Sequence, residues 1–163
     1  MSEDKFRAAL SRLTAGVVLV TAHDPEDGED VGMTATSLLS VSLDPPLVLV
    51  SVRNGSRMDD LLERQPLWAV SILSGAQRQA AGWFAMKGRI SDRLLFADLA
   101  HTRGEVAGAP LVDGALALLE CRTEQRVTAG DHTLVVGRVL TTSTPPVDSG
   151  PLAYFRGRYR GLD

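Results

Sequence analysis

Residues Gly32–Arg57 read GMTATSLLSVSLDPPLVLVSVRNGSR. Val31–Leu43 is rich in Val, Thr and Ser and reads as a strand with room for a bend. Pro45 and Pro46 end it, because proline donates nothing to a sheet ladder. Leu47–Arg53 is a second apolar strand. Asn54-Gly55 is a turn, and Ser56 stands where a helix N-cap belongs, with Asp59 three residues on. Two strands joined by so short a link pair antiparallel, since a parallel crossover needs a dozen residues or more.

The same grammar extends outward. Phe6, Ala9, Leu10 and Leu13 recur at helical spacing and predict a helix ending near Gly16. Val17–Ala22 is a buried strand, and the charged Asp24–Asp30 is a turn. Trp68–Leu73 is a strand, followed by a helix capped by Ser74 and carrying Ala80, Trp83 and Phe84. Asp92–Phe96 predicts a further helical turn. Ala115–Thr128 and His132–Thr142 form a hairpin about Gly130-Asp131, Pro145–Gly150 is a loop, and Leu152–Tyr159 is a last strand. Six or seven strands with two or three short helices and short connections predict a mainly β, antiparallel barrel.

The chain has 163 residues, 44% apolar and 23% charged, and reads as a single domain, residues 1–163. The net charge of −3 gives no electrostatic case for nucleic acid. No apolar run is long enough for a membrane span, and the charged N-terminus has no leader-like stretch. With one cysteine, Cys121, the reading is a cytoplasmic protein. The three histidines are scattered, so no metal site is expected. No G-x-G-x-x-G follows a strand, and neither a Walker loop nor a G-x-S-x-G elbow is present.

Four short stretches are candidate sites. Met33-Thr34-Ala35-Thr36-Ser37 combines small side chains with hydroxyls, which lets a planar ligand approach the backbone; a strand with one solvated face has the same pattern. Ser51-Val52-Arg53 leads through a glycine turn into Ser56-Arg57, where helix N–H groups and arginines suit a phosphate; a plain N-cap also explains it. Phe84 and Lys87 sit at a helix end, where core packing and solvation are the ordinary roles. His132 follows a hairpin turn, either as a simple strand start or as a proton-carrying group at a barrel mouth.

Taken in order, these stretches resemble the flavin reductase-like family of FMN-binding split barrels. The resemblance runs from Phe6 to Tyr159 and rests on Gly32–Val52, NGSRM, FAMKGR, GDH and YFRGRY. Met86 follows Phe84-Ala85 where the family often has glycine. The resemblance implies an NAD(P)H:flavin oxidoreductase that moves hydride from NADH or NADPH to FMN, or to FAD. It implies that Thr34, Ala35, Thr36 and Ser37 line the ring and ribityl chain, with Met33 beside them among the cofactor-binding residues. Ser51, Val52 and Arg53 continue that wall through main-chain groups. Ser56 and Arg57 face the phosphate, Phe84 and Lys87 complete the pocket, and His132 stands near the nicotinamide. It further implies a homodimer and a partner flavin-dependent monooxygenase. Reduction of another acceptor on the same scaffold, such as a corrinoid, or flavin binding without catalysis, are the alternatives.

Overall fold

A computed structural model describes residues 1–89 and 91–162. In chain order the elements are α1 (Glu3–Leu10), β1 (Ala15–Gly16), β2 (Val18–His23), β3 (Asp30–Ala35), β4 (Leu39–Leu43), β5 (Pro46–Arg53), α2 (Arg57–Arg64), β6 (Leu67–Ile72), α3 (Arg78–Ala85), α4 (Asp92–Ala97), β7 (His101–Arg103), β8 (Pro110–Val112), β9 (Ala117–Ala129), β10 (His132–Ser143), β11 (Ala153–Phe155) and β12 (Arg158–Arg160).

Seven strands form one antiparallel sheet in the order β3-β2-β6-β9-β10-β5-β4. Strands β3 and β4 are consecutive in sequence, yet they stand at its opposite edges. A flat sheet of that size would hold its outer strands roughly 29 Å apart, from six spacings of about 4.8 Å. The link Thr36-Ser37-Leu38 reaches about 14 Å at most when fully extended. The sheet therefore curls on itself, and the three-residue link draws its edges together across a seam. This is the split barrel that the resemblance implies. The strand expected over Val31–Leu43 is in fact these two strands, broken where the chain crosses from one edge to the other.

The barrel interior is filled by alternate residues of these strands, among them Val20, Val50, Val52, Trp68, Val70 and Val135, capped by Met58, Leu61 and Leu62 of α2. Gly137 is required beneath Trp68, whose ring would lie 2.4 Å from any Cβ there. A second cluster, with Val17, Leu19, Phe84, Phe96 and Leu152, packs α3 and α4 on the outside of the β2–β3 edge.

Three further expectations change. The N-terminal helix stops at Leu10, earlier than expected, and buries none of its residues. The last strand is a hairpin: Phe155 and Arg158 face each other across a turn in which Arg156 and Gly157 both have positive φ, 50° and 75°. An arginine gives no sequence signal for that conformation. The small hairpin of β7 and β8 fell in a stretch with no expected strand.

Candidate functional site: a groove along the barrel seam

The seam leaves main-chain groups without ladder partners. In an antiparallel strand, alternate residues turn their N–H and C=O to opposite sides. Gly32 turns its pair outward: its N–H donates to Asp92 Oδ2 (3.0 Å) and its C=O accepts from Arg89 Nη2 (2.8 Å). The same alternation turns the main chains of Thr34 and Thr36 to the open edge. On the facing strand, β4 pairs with β5 only as far as Leu39 opposite Leu49. Beyond that point the Ser37 hydroxyl takes the place of a strand, accepting from Ser51 N–H (3.1 Å) and donating to Ser51 C=O (3.4 Å). Arg53, two residues on, turns its N–H to the same side.

A groove runs between these edges in two connected lobes. The first, of about 280 Å³, is lined by Met33, Thr34, Ala35, Thr36, Ser37, Ser51, Arg53 and His132. The second, of about 400 Å³, shares Met33, Thr34 and Arg53 and adds Ser56, Arg57, Phe84 and Lys87 among its walls. Residues as far apart in sequence as Met33 and His132 thus meet in one cleft. Val52 is the exception among the expected residues. Its side chain is fully buried in the barrel, and the alternation that points Ser51 at Ser37 points the main chain of Val52 at β10, opposite Thr133.

The first lobe is rigid because its hydroxyls are largely committed. Thr34 Oγ1 donates to Ala81 C=O (2.6 Å), tying β3 to α3, and Ser37 closes the seam. Thr36 is exposed. At the mouth, His132 Nδ1 lies 2.7 Å from Asp131 Oδ1. That hydrogen bond, and the imidazole charge after it, hold the Asp131 carboxyl below its ordinary range. With Nδ1 donating to the carboxylate, Nε2 is left for a ligand.

The second lobe is electropositive. Ser56 caps α2 by accepting from Asp59 N–H (3.2 Å), which leaves the N–H groups of Arg57 and Met58 at the open first turn. Arg53, Arg57, Lys87 and Arg89 surround it. Arg57 is held by Glu29 (3.0 Å) and Arg89 by Asp92 (2.7 Å). Arg89 also lies 6.0 Å over the Phe84 ring. Nothing local in the sequence links Arg89 and Asp92 to each other through Gly32, because that partner is some sixty residues away. Gly32 itself is the available signal: a Cβ there would lie 2.7 Å from Phe84 and 2.9 Å from Phe96, so the close packing of α3 and α4 on β3 demands glycine.

A planar ring with a hydrogen-bonding edge fits the first lobe, and an anionic tail fits the second. Comparisons with known proteins identify the family. Residues 10–163 match the flavin reductase like domain. The chain belongs to that family. It is 40% identical over 159 residues to an NADH-dependent flavin reductase of a Rhodococcus species, covering 97% of this chain and 85% of that one. Among solved structures, the NADH:FAD oxidoreductase SgcE6 of Streptomyces globisporus, in complex with NAD and FAD fragments, superposes with a TM-score of 0.91 at 36% identity, covering 99% of this chain and 93% of that chain. BorF, the flavin reductase component of a bacterial two-component tryptophan halogenase, matches equally well: TM-score 0.91 at 37% identity over 99% and 98% of the two chains. Family membership accounts for the split barrel. Among the described residues no metal-binding cluster occurs, and no helix is long and apolar enough to cross a membrane.

Proposed function

We infer that the protein is an NADH-dependent flavin reductase whose flavin lies along the seam, ring in the first lobe and phosphate in the second. The observation that carries this is the pairing of two open sheet edges with a basic helix N-terminus in one groove. A flavin ring carries donors and acceptors on its pyrimidine edge, and Thr34, Thr36 and Arg53 offer main-chain partners for such an edge. Ser56, Arg57, Lys87 and the first N–H groups of α2 offer charge and donors to a phosphate. A flavin held there would supply the redox chemistry, taking up hydride from a nicotinamide. The chain supplies position: β3 backs the ring, Met33 and Ala35 exclude water, and His132 Nε2 stands at the mouth to hold a nicotinamide carboxamide or the charge of the reduced ring.

The relatives support NADH as donor over NADPH, and a role in passing reduced flavin to a separate monooxygenase. The whole chain, 1–163, acts as one domain, in the cytoplasm, as a homodimer. The dimer reading is supported by an apolar surface the monomer leaves open. Strand β4 is a sheet edge with Leu39, Val41 and Leu43 exposed, Leu43 at 92%, and α1 leaves Phe6 and Leu10 in water.

The test is oxidation of NADH by the purified protein with FMN, FAD or neither, followed at the nicotinamide absorbance band. Turnover with added flavin is expected, and a rate no greater than that of free flavin with NADH overturns the reading. His132→Ala is expected to lower kcat/KM for NADH about tenfold, the cost of one lost hydrogen bond to a charged or polarised group.

A further inference from the structure

We propose that Asn54 positions His132, so that a phosphate seated on the turn beside Asn54 also sets the donor end of the groove. This rests on the flavin reading above and deepens it. His132 opens β10 at the tip of the β9–β10 hairpin, where Val127, Thr128, Ala129, Gly130 and Asp131 are all exposed. A hairpin tip in solvent has few packing contacts to hold a side chain in one place. The ladder from β10 to β5 ends with His132 opposite Arg53. Asn54, the next residue along, carries on where that ladder stops. Its N–H donates to Asp131 C=O (3.0 Å), its Nδ2 donates to Gly130 C=O (3.2 Å), and its Oδ1 accepts from Thr133 Oγ1 (2.7 Å). One residue thus grips the tip on both sides of His132. The two side-chain bonds need an amide, because Oδ1 faces a hydroxyl donor and Nδ2 faces a carbonyl. Thr133 is buried, so its hydroxyl depends on Asn54 for a partner rather than on water.

The same residue belongs to the basic lobe. Asn54 and Gly55 form the turn that leads into Ser56, with Ser56 N–H donating back to Arg53 C=O (3.2 Å) and Gly55 N–H donating to Asp59 Oδ2 (3.0 Å). The other oxygen of that carboxylate, Oδ1, accepts from Arg126 Nη2 (2.5 Å), and Arg126 lies on β9 opposite Val135 of β10. The turn that offers donors and charge to a phosphate is therefore tied to the hairpin twice, by Asn54 at the tip and by Asp59 further along. A phosphate that fixes residues 54–56 fixes the anchor of His132 with them, which leaves less freedom for the donor to remove. By linkage, a donor held by His132 favours the phosphate in return.

Steady-state oxidation of NADH by the full-length protein, with saturating FMN or riboflavin as acceptor, tests this. Riboflavin has the same ring and lacks the phosphate, so stacking of nicotinamide on the ring cancels in the comparison. In the unaltered protein the KM for NADH is expected to be about fivefold lower with FMN, the scale of one ordinary hydrogen bond. Thr133→Val removes the hydroxyl at nearly constant shape. It is expected to bring the two KM values together by raising the one for FMN, with kcat and the FMN Kd changed less than about twofold, as for a contact remote from the phosphate itself. Thr133→Ser puts the hydroxyl back and is expected to restore the gap. In a His132→Ala background Thr133→Val is expected to change the KM for NADH no further, because its effect passes through the histidine. Asn54→Ala, at an exposed position, carries the same expectation where the buried substitution does not fold. Equal KM values with the two acceptors in the unaltered protein overturn the proposal. So does a gap that survives in Thr133→Val or Asn54→Ala, or one that Thr133→Ser fails to restore. A lower Tm with both KM values unchanged makes Asn54 a brace of the fold alone and overturns it too. Absence of NADH oxidation above the free-flavin background with either acceptor sinks the flavin reading itself and is distinct from these.

Discussion

The two lobes of the seam groove share Met33, Thr34 and Arg53, yet they work in opposite ways. The first is made of short side chains and main chain, with Thr34 bound to Ala81 and Ser37 to Ser51. Its shape is set by hydrogen bonds the protein makes to itself. The second is made of long cationic side chains with carboxylate partners on one side only, Glu29 for Arg57 and Asp92 for Arg89. The exposed Lys87 leaves part of that charge adjustable. In the proposed binding mode, rigid walls orient the ring and adjustable charge catches the flexible tail.

The comparison breaks most completely if the frame shared by both lobes is removed. Asp92→Ala leaves the half-buried Arg89 and the Gly32 N–H without their partner, at a cost of about 3 kcal/mol. In a chain of this length that lowers Tm by about 6–12 °C, measurable by thermal unfolding. Gly32→Ala sets a methyl against Phe84 and Phe96 and is expected to cost about 2 kcal/mol by overpacking. Its signature in denaturant titration is a lower midpoint at unchanged slope.

Sharper tests separate the lobes. Arg57→Ala is expected to raise the FMN Kd about tenfold through one lost charge-assisted contact. The loss should shrink in high salt, where surface charge is screened. Ser37→Ala leaves the Ser51 N–H unpaired and costs about 1 kcal/mol. Its effect on FMN binding should be indifferent to salt, and a salt-dependent effect would mean the first lobe is not the uncharged one.

The smallest effect belongs to the carboxylates of the 24–30 loop, outside both lobes. The Arg64 hydrogen bond, then the Glu26 N–H, hold the Asp24 carboxyl well below its ordinary range. For Asp30, burial pushes upward, but hydrogen bonds from Arg103 and His23 outweigh it and the net shift is down. A depressed carboxylate stabilises the fold above its unfolded value, near 3.9, and loses that contribution as pH falls toward its folded value. Arg64→Met should therefore lower Tm at pH 7 by an amount that narrows as pH drops below about 5, with FMN affinity at pH 7 unchanged.

Much of this was legible in the sequence. The β-branched runs, the proline stop after Leu43 and the Gly130-Asp131 hairpin fixed the strands, because those signals act within a few residues. Twelve of the thirteen expected site residues line the groove, since small and hydroxylated side chains mark a close approach to backbone wherever they fall. The exception, Val52, follows from counting its neighbour Ser51: once one residue of a strand faces the seam, the next must face the ladder. The break at Thr36–Leu38 was hidden, because its cause is the curl of seven strands and not a local signal. The Arg89–Asp92 clamp on Gly32 and the committed hydroxyl of Thr34 were hidden for the same reason, and the turn at Arg156 because arginine is no marker of positive φ.

The seam closed by Ser37 has a thermodynamic consequence. A barrel in which the Ser37 hydroxyl stands in for a strand beside Ser51 is a structure one strand short at that joint. Whatever lies along that joint and bonds to both edges completes the circle, so loading and folding draw on the same free energy. Saturation at a hundred times Kd adds about 2.7 kcal/mol to the stability of the closed form. The amides of Thr34, Thr36 and Arg53 then become the slowest to gain from the barrel alone and the first to gain from its occupant, and their hydrogen exchange reports whether the joint is open or shut.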